Sequence, residues 1–340
     1  MMIPNQWYVI LESSEVKPGK PVGVIRMGEH LVAWRDSKGA LTVMSDLCPH
    51  RGVALSKGKV MGDCVQCPFH GFEFDTRGDC RLIPANGRAS TPPKAFHVRT
   101  YPAREANGFI YIWWGSPQPD YPPLPWFESV PHERFSWKTL RDPWAIHYSR
   151  AIENQLDVVH LPFIHYNTIG RGNKTVVNGP LVKVTPQEGC SDIIDVWVSN
   201  EVDRGQLPLR LSQLPEPKRR PFVQFRFPNI WHNWISDQMH IILAFAPIDN
   251  NHTMMYIRMY QNMVTAPILR TLYNWMGALG NLVIERQDKR VVETQRPGVT
   301  SLHMQEKLIP GDRPIVEYRR RRLQLQESQE MPPVSDPGFP

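Results

Sequence analysis

The sequence has few cysteines, no long apolar run and little net charge. Its five cysteines are an odd number scattered over 340 residues, which argues against the paired disulfide framework of a small secreted protein. No segment approaches the roughly 18 consecutive apolar residues of a membrane-spanning helix, and the sequence does not open with the charged and apolar regions of a signal peptide. We therefore expect a cytoplasmic protein without a membrane partner.

The positive charge is small and partly local. The formal net charge is +6, and two basic runs, Lys218–Arg220 and Arg319–Arg322, stand out. Neither run is interleaved with aromatic residues or belongs to a nucleic-acid-binding module, so we expect no nucleic-acid partner. We interpret both runs as solvated faces or as a docking surface for an acidic protein.

Short alternating apolar runs separated by turn residues fill the first third of the chain and predict strands. The predicted strands are Val22–Ile25, Leu31–Trp34, Leu41–Met44 and Phe109–Trp113. We see no helical period here, so residues 1–115 are predicted to form an all-β domain. The eleven residues that start with Gly115 contain five prolines. Residues 116–130 are therefore predicted to be a stiff linker.

The second domain, residues 131–326, is predicted to combine helices with an antiparallel sheet, which makes the whole chain an α+β protein. A helix is expected from about His147 to His160. It should end there because Pro162 disfavours helix at the residue before it. A long helix should start at Pro267 and run to about Arg296. Between them, strands are predicted at Leu181–Thr185, Ile193–Val198, Phe222–Phe227, Ile230–Ile235, His240–Ala246 and Met254–Tyr260. The tail, residues 327–340, is expected to be flexible.

Two short segments each carry one cysteine and one histidine. Cys48-Pro-His50 is followed, after sixteen residues, by Cys67-Pro-Phe-His70. Two thiolates and two imidazoles also suit zinc, but a typical zinc finger pairs Cys with Cys and His with His. One of each per loop is what a Rieske [2Fe–2S] centre needs, with both cysteines on one iron and both histidines on the other.

In these residues the sequence resembles the Rieske domain family, which implies that Cys48, His50, Cys67 and His70 bind a [2Fe–2S] cluster. Respiratory Rieske proteins carry an extra cysteine in each loop, whereas Val53 and Phe69 stand at those positions here. The resemblance is therefore to the oxygenase and ferredoxin branch. No role is assigned to Cys64, Cys80 or Cys190.

A second group of metal-binding residue types lies in the segment Glu153–His165. It contains carboxylates and two histidines, His160 and His165. If Asp157 and His160 are three apart on a helix, they are neighbours, and the break at Pro162 lets His165 turn back. Two imidazoles and a carboxylate form the ligand set of non-haem Fe(II) enzymes that activate O₂.

Together with the Rieske pattern, this segment resembles the Asn-x₂-Asp-x₂-His-x₄-His motif of Rieske non-haem iron oxygenases, here Asn154, Asp157, His160 and His165. The resemblance implies a helix-grip catalytic domain, in which an antiparallel sheet packs on the long C-terminal helix. It also implies that Asp157 is not a ligand but an electron bridge to the Rieske histidine of a neighbouring subunit. The chain is then expected to be a homotrimer.

The resemblance places the carboxylate ligand of the mononuclear Fe(II) on the late helix, where Glu285, Asp288 and Glu293 are candidates. At 100° per residue Asp288 lies on a face with no other charge, whereas Glu293 lies beside Lys289 and Arg290. A carboxylate on an uncharged face is the one expected to be buried on a metal. Asp288 is therefore predicted, with Glu285 second and Glu153 third.

What the resemblance implies for activity is the use of O₂ and of electrons that arrive through the Rieske cluster. The expected reaction is hydroxylation, or oxidative N- or O-demethylation, of a small aromatic or heterocyclic molecule. The chain lacks a G-x-G-x-x-G nucleotide fingerprint, so the electrons must come from a separate NAD(P)H-dependent reductase or ferredoxin. Demethylases and monooxygenases are the closer branch, although an electron-transfer or ligand-binding protein with a non-catalytic helix-grip domain remains the alternative.

Aromatic residues of the predicted sheet are expected to line the substrate pocket on one alternating face, whereas those on the other face are expected to be core or surface. The candidates are Phe222, Phe225, Phe227, Trp231, Trp234 and Phe245.

Overall fold

The computed structural model of the chain describes residues 2–187 and 191–327. Cys190 and the tail from residue 328 onward lie outside the described residues. The chain divides into two compact units. One unit comprises Trp7–Gln118 with Pro247–Asp249, and the other comprises the remaining described residues.

The first unit consists of short strands in three antiparallel sheets. The sheet orders are β1-β11-β10, β2-β3-β4-β9 and β5-β6-β7-β8. The strands are β1 Gln6–Glu12, β2 Val22–Arg26, β3 Glu29–Arg35, β4 Leu41–Ser45, β5 Lys59–Met61, β6 Cys64–Gln66, β7 Glu73–Asp75, β8 Cys80–Leu82, β9 Thr100–Tyr101, β10 Ala103–Ala106 and β11 Phe109–Trp114. The all-β prediction is confirmed, and the four predicted strands correspond to β2, β3, β4 and β11.

A buried apolar cluster connects the second and third of these sheets. Val32 and Trp34 of β3 pack in one core with Val65 of β6 and Phe74 of β7. The same core includes Cys48 and Cys67. Both cysteines are therefore held by the hydrophobic core and are not on the surface of the loops.

The second unit is built on one seven-stranded antiparallel sheet in the order β12-β18-β17-β16-β15-β14-β13. Its strands are β12 Ser136–Trp144, β13 Val176–Thr185, β14 Ile193–Glu201, β15 Val223–Arg226, β16 Ile230–Ser236, β17 Met239–Pro247 and β18 Thr253–Gln261. The predicted meander is confirmed, since the last six strands pair in chain order. Strand β12 was not predicted, and it pairs with β18 along its whole length.

In the described part of this unit, four α-helices accompany the sheet: α1 Tyr148–Leu156, α2 Leu161–Ile164, α3 Pro267–Val292 and α4 Arg313–Glu327. The long helix α3 packs on β12 and β18. Gly277 allows close packing against β18, because a Cβ atom there would lie 2.1 Å from Cε of Met259. Helix α3 starts at the predicted Pro267 and ends four residues before the predicted Arg296.

Helix α1 ends earlier than Pro162 alone would require. Its C-cap is Asp157, whose backbone is extended (ψ 121°). The Asp157 carboxylate accepts hydrogen bonds from the backbone N–H groups of Val159 (2.7 Å) and His160 (3.3 Å), a local arrangement that competes with helix. The predicted helix to His160 is therefore wrong at its end, and Pro162 instead lies in the first turn of α2.

Helix α4 was not predicted, and it contains the basic run Arg319–Arg322. Arg319 and Arg322 are only 3% and 4% exposed. Arg319 forms ion pairs with Glu153 and Glu306, and Arg322 donates to the carbonyl of Thr300. The interpretation of this run as a solvated or docking face is wrong for these two residues, because they are structural.

Candidate metal centres

Two loops of the first unit share the same backbone design. In one, the Cys48 N–H donates to the Val53 carbonyl (2.9 Å) and the Gly52 N–H donates to the Cys48 carbonyl (2.8 Å). In the other, the Cys67 N–H donates to the Phe72 carbonyl (2.8 Å) and the Gly71 N–H donates to the Cys67 carbonyl (3.1 Å). Gly52 and Gly71 have φ values of +67° and +73°, a left-handed conformation that glycine adopts without steric cost.

The four side chains of these loops are brought together with the thiols inside and the imidazoles outside. Cys48 and Cys67 are buried, whereas His50 and His70 are exposed. The His50 and His70 ring centroids are 4.7 Å apart, and His50 stacks on Phe72 at 4.8 Å.

The environment of Cys48 bears on cluster binding. Burial and the adjacent Cys67 thiol raise the pKa of Cys48 to about 11, although the backbone N–H groups of His50 and Arg51 donate to its sulfur. In the absence of metal, burial and the second sulfur both favour the neutral thiol. A bound metal reverses that preference. Amide donors at a buried sulfur and exposed imidazoles opposite fit a [2Fe–2S] cluster with sulfur ligands on one iron and nitrogen ligands on the other.

The motif segment of the second unit forms a single turn between its two histidines. His160 is the N-cap of α2 and His165 is its C-cap. The Ile164 N–H donates to the His160 carbonyl (3.0 Å), and the Gly170 N–H closes the following turn on the His165 carbonyl (2.9 Å). Gly170 is needed there because a Cβ atom would lie 1.9 Å from the Leu161 carbonyl oxygen.

Helix α3 brings Asp288 to these two histidines. Asp288 Oδ1 lies 3.5 Å from His160 Nε2 and 3.2 Å from His165 Nε2. Their ligand atoms all lie within 4.8 Å of one another, and this is the one such group of three or more found in the described ranges. The Oδ1 atom is buried and has no hydrogen-bond partner. A buried acceptor without a donor, facing two imidazole nitrogens, fits a metal ion bound by two histidines and one carboxylate.

The orientation of His165 is set by a glutamine that sequence reasoning missed. His165 Nδ1 lies 2.8 Å from Gln287 Oε1, and because an amide oxygen only accepts, Nδ1 carries the proton. Nε2, the ring nitrogen near Asp288, then carries the lone pair that could bind a metal ion. Burial lowers the pKa of His165, but the adjacent Asp288 carboxylate, with a contribution from Gln287, brings the pKa above its ordinary value.

Asp157 and Asn154 lie at the edge of this centre. Asp157 Oδ1 is 3.7 Å from His160 Nδ1. Burial raises the pKa of Asp157, but hydrogen bonds from His160 and Val159 and the charge of His160 lower it below the ordinary value. The Asn154 side-chain nitrogen is buried and has no partner among the described residues. Neither residue belongs to the group of three candidate ligands.

The three competing carboxylates are placed differently. Glu153 is bound by Arg319 at 2.8 and 2.7 Å. Glu293 accepts from the backbone N–H of Ala145 at 2.7 Å. Glu285 is 5% exposed, and burial, then the charges of Asp288 and Asp142, raise its pKa well above the ordinary value. None of the three faces the histidines.

A cavity of about 210 Å³ borders the segment that carries His160 and His165. Val158, Leu161 and Pro162 contribute to its wall, together with Asn200 of β14 and Phe222. Its rim also carries the cationic side chains of Arg171 and Lys174.

Two of the six aromatic candidates of the sheet, Phe225 and Phe227, belong to the core. Phe225 and Phe227 pack against Tyr318 of α4, with ring centroids 5.4 and 5.7 Å apart. Trp231 donates through Nε1 to the Gln155 carbonyl. Phe222 alone of the six candidates borders the cavity next to the segment that carries His160 and His165.

Two domain families match the chain. The Rieske [2Fe-2S] domain matches residues 6–102, and the vanillate O-demethylase oxygenase C-terminal domain matches residues 144–328. The fold and the two sites thus define a Rieske iron–sulfur protein with a non-haem iron domain. The chain belongs to the Rieske oxygenase family, whose cofactors are a [2Fe–2S] cluster and a mononuclear iron.

Curated relatives match over part of their length. The toluene-4-sulfonate monooxygenase iron-sulfur subunit TsaM1 of Comamonas testosteroni is 32% identical over 208 residues, 59% of this chain and 58% of that protein. The oxygenase component of 3-ketosteroid-9-alpha-monooxygenase of Rhodococcus rhodochrous is 34% identical over 167 residues, 47% of this chain and 42% of that protein. Across the relatives compared, the chain spans 30–58% of their length.

Solved structures match over nearly the whole chain. NdmA of Pseudomonas putida CBB5 superposes with a TM-score of 0.75 at 22% identity, covering 95% of this chain and 91% of that one. Apo dicamba monooxygenase gives a TM-score of 0.69 at 19% identity, covering 96% and 98%. At such identities the likeness establishes the fold. Among the helices that the structure describes, none combines the length and apolarity required to cross a bilayer.

Proposed function

We propose that this chain is the oxygenase component of a Rieske monooxygenase that hydroxylates, or oxidatively N- or O-demethylates, a small aromatic or heterocyclic molecule. The observation that carries the proposal is the buried, unpartnered Asp288 Oδ1 facing His160 and His165 in a chain that also carries a Rieske domain. When bound, the cluster supplies electrons one at a time and the ferrous ion supplies the site at which O₂ is activated.

The residues of each site have separate tasks. Cys48 and Cys67 would hold one iron of the cluster, and His50 and His70 the other. His160, His165 and Asp288 would hold the mononuclear iron, and as only three protein ligands they would leave it able to bind O₂. Asp288 is only 2% exposed, so water would screen the interaction of its carboxylate with a bound cation only weakly.

The cavity beside the motif supports a small apolar substrate. The walls contributed by Val158, Leu161, Pro162 and Phe222 are apolar. Solved structures of relatives include NdmA with caffeine and dicamba monooxygenase bound to dicamba, and both ligands are small ring compounds. We extend that substrate class, and neither compound itself, to this chain.

Assembly and electron supply are part of the same proposal. We propose a homotrimer in which Asp157 connects His160 to a Rieske histidine of a neighbouring subunit. The proximity of the Asp157 carboxylate to the His160 ring supports that role. A separate NAD(P)H-dependent reductase or ferredoxin would deliver the electrons, and the exposed run Lys218–Arg220 offers a docking surface for an acidic partner. Four unpaired cysteines in the described chain favour a reducing, cytoplasmic setting.

Iron content and product formation test the proposal together. The purified protein should contain about three iron atoms per chain, two in the cluster and one at the histidine site. With a surrogate reductase, a substrate library should give oxygenated products or formaldehyde by mass spectrometry. Asp288→Ala should hold only the two cluster irons and give no product.

Three results would contradict the proposal or part of it. A wild-type protein with about two irons per chain after anaerobic loading would indicate an electron carrier or ligand-binding protein. Product formation by Asp288→Ala at the wild-type rate would refute the assigned ligand. Sedimentation of an active protein as a strict monomer would refute the trimeric electron route.

A further inference from the structure

The two carboxylate oxygens of Asp288 have different surroundings. Oδ1 faces the two histidines and has no hydrogen-bond partner. Oδ2 lies 3.4 Å from Nε2 of Gln155. The carboxylate is therefore held at one oxygen and free at the other.

Gln155 Nε2 serves a second carboxylate at the same time. It lies 3.0 Å from Glu285 Oε2, one turn before Asp288 on α3. An amide nitrogen carries two N–H groups and no acceptor, so one hydrogen is available for each carboxylate. Gln155 thus bridges two buried acidic side chains on one face of α3.

The backbone of Gln155 is itself fixed from the sheet. Its carbonyl accepts from the indole Nε1 of Trp231 at 2.9 Å, and Trp231 is 7% exposed. Gln155 lies in the last turn of α1, two residues before Asp157. It therefore connects β16, the motif helix and the metal-binding face of α3.

We propose that Gln155 is a positioning residue for the mononuclear metal, which holds Oδ2 of Asp288 so that Oδ1 is presented to the ion; the inference rests on the proposed function. Carboxylate ligands are oriented by such hydrogen-bonding neighbours, and removing the neighbour typically weakens metal affinity about 10–100-fold. With Oδ2 engaged, Asp288 binds through one oxygen, and Glu285 serves as the second anchor that keeps the Gln155 amide in place.

The test is an anaerobic Fe(II) titration of protein from which a chelator has removed the mononuclear iron while the Rieske cluster remains. Gln155→Leu keeps the approximate volume and removes both donors. We expect about 10–100-fold weaker Fe(II) binding than in the wild type. We also expect an altered electron paramagnetic resonance spectrum of the nitric oxide adduct, which reports the symmetry of the ligands. Gln324→Leu, an exposed glutamine on α4, is the matched control and should leave both readouts unchanged.

A second variant keeps the test decisive if Gln155→Leu does not fold. Gln155→Asn retains an amide but is one methylene shorter, so it cannot reach both carboxylates, and it should also weaken Fe(II) binding. Unchanged affinity and an unchanged nitric oxide spectrum in whichever of the two variants retains the cluster spectrum would overturn the inference.

The failure of the proposed function would look different. If the wild type binds no third iron, the proposed function is wrong. If the wild type binds it, Asp288→Ala loses it and the Gln155 variants retain it with wild-type affinity, only the role of Gln155 is wrong.

Discussion

Replacing Arg319 of α4 tests whether its charge stabilises the fold or belongs to the solvated surface. Its guanidinium is bound to Glu153 at 2.8 and 2.7 Å and to Glu306 at 2.7 Å. The side chains of Arg319 and Glu153 are 2% and 4% exposed. Arg319→Met would keep much of the packing and leave Glu153 as a buried charge that has lost its main partner.

The magnitude follows from the burial of this pair. Breaking a buried ion pair by removing one partner costs about 3–5 kcal/mol. Arg150 remains 3.4 Å from Glu153, which compensates part of the loss, so we expect about 3 kcal/mol in the free energy of unfolding. For a unit of about 150–250 residues this lowers the melting temperature by roughly 6–12 °C. The loss should depend little on salt, because a buried pair is weakly screened.

Thermal and urea unfolding of the holoprotein measure the effect, and the adjacent Arg320 provides the control. Arg320 pairs only with Glu317 among the contacts that the structure shows, and its side chain is 49% exposed. Arg320→Met should change the free energy of unfolding by about 0.5 kcal/mol or less. If Arg319→Met destabilises the protein no more than Arg320→Met does, the reasoning that α4 is fastened to the motif helix by this ion pair is refuted.

Three further predictions concern the metal site, the electron route and the pH dependence. His160→Ala should lose the mononuclear iron and turnover but keep the visible spectrum of the cluster, because the two sites have no ligand in common; metal analysis and absorption measure this. Asp157→Asn should keep both metals, because Asp157 is not one of the three ligands, and should slow electron transfer to the mononuclear site in single-turnover kinetics. Burial, then the charge of His240, lowers the pKa of His232 from 6.5 to about 3, so the unfolded chain takes up the proton first as pH falls. Stability from His232 is fully present above pH 6.5 and decreases below it, by about 2 kcal/mol at pH 5; His232→Gln should remove that decrease in urea unfolding.

Each of these has a control or a contradicting result. Retained turnover by His160→Ala would exclude His160 as a ligand. Unchanged single-turnover kinetics in Asp157→Asn would argue against the bridge. For the pH effect, wild-type and His232→Gln unfolding free energies are compared at pH 5 and pH 7.5, and an equal change with pH in both proteins would contradict the assignment.

Local motifs could be read from the sequence because covalent geometry restricts where their side chains go. Cys48 and His50, or Cys67 and His70, are so close in the chain that a tight glycine turn must present them together. His160 and His165 are five residues apart, which is one turn of helix plus its caps. Asp288 was reachable because a regular helix places an isolated acid on a defined face, and the structure puts that acid 3.2 Å from His165.

Other features depended on competition between local preferences, which single residue types do not reveal. Pro162 predicts the end of the motif helix. In the structure, however, the Asp157 carboxylate accepts hydrogen bonds from backbone N–H groups, and the helix already ends at Leu156. Gln155 and Gln287 carry no charge and no metal-ligand chemistry, so nothing in their sequence context distinguished them from surface glutamines. Their importance comes from the carboxylates and the imidazole that the fold places beside them.

By itself, the sequence determined the two-domain order, the all-β first unit and the antiparallel meander, because these follow from periodicity. Short-range spacing and the family resemblance also indicated the residue types proposed for both metal sites. Only the tertiary structure decided that Arg319 is buried, since its partner Glu153 is 166 residues away in the chain. It also decided that Phe225 and Phe227 belong to the core, because α4 covers them with Tyr318. Long-range contacts determine whether a charge is solvated or paired and whether an aromatic ring lines a cavity or fills a core, and a single sequence does not encode those partners locally.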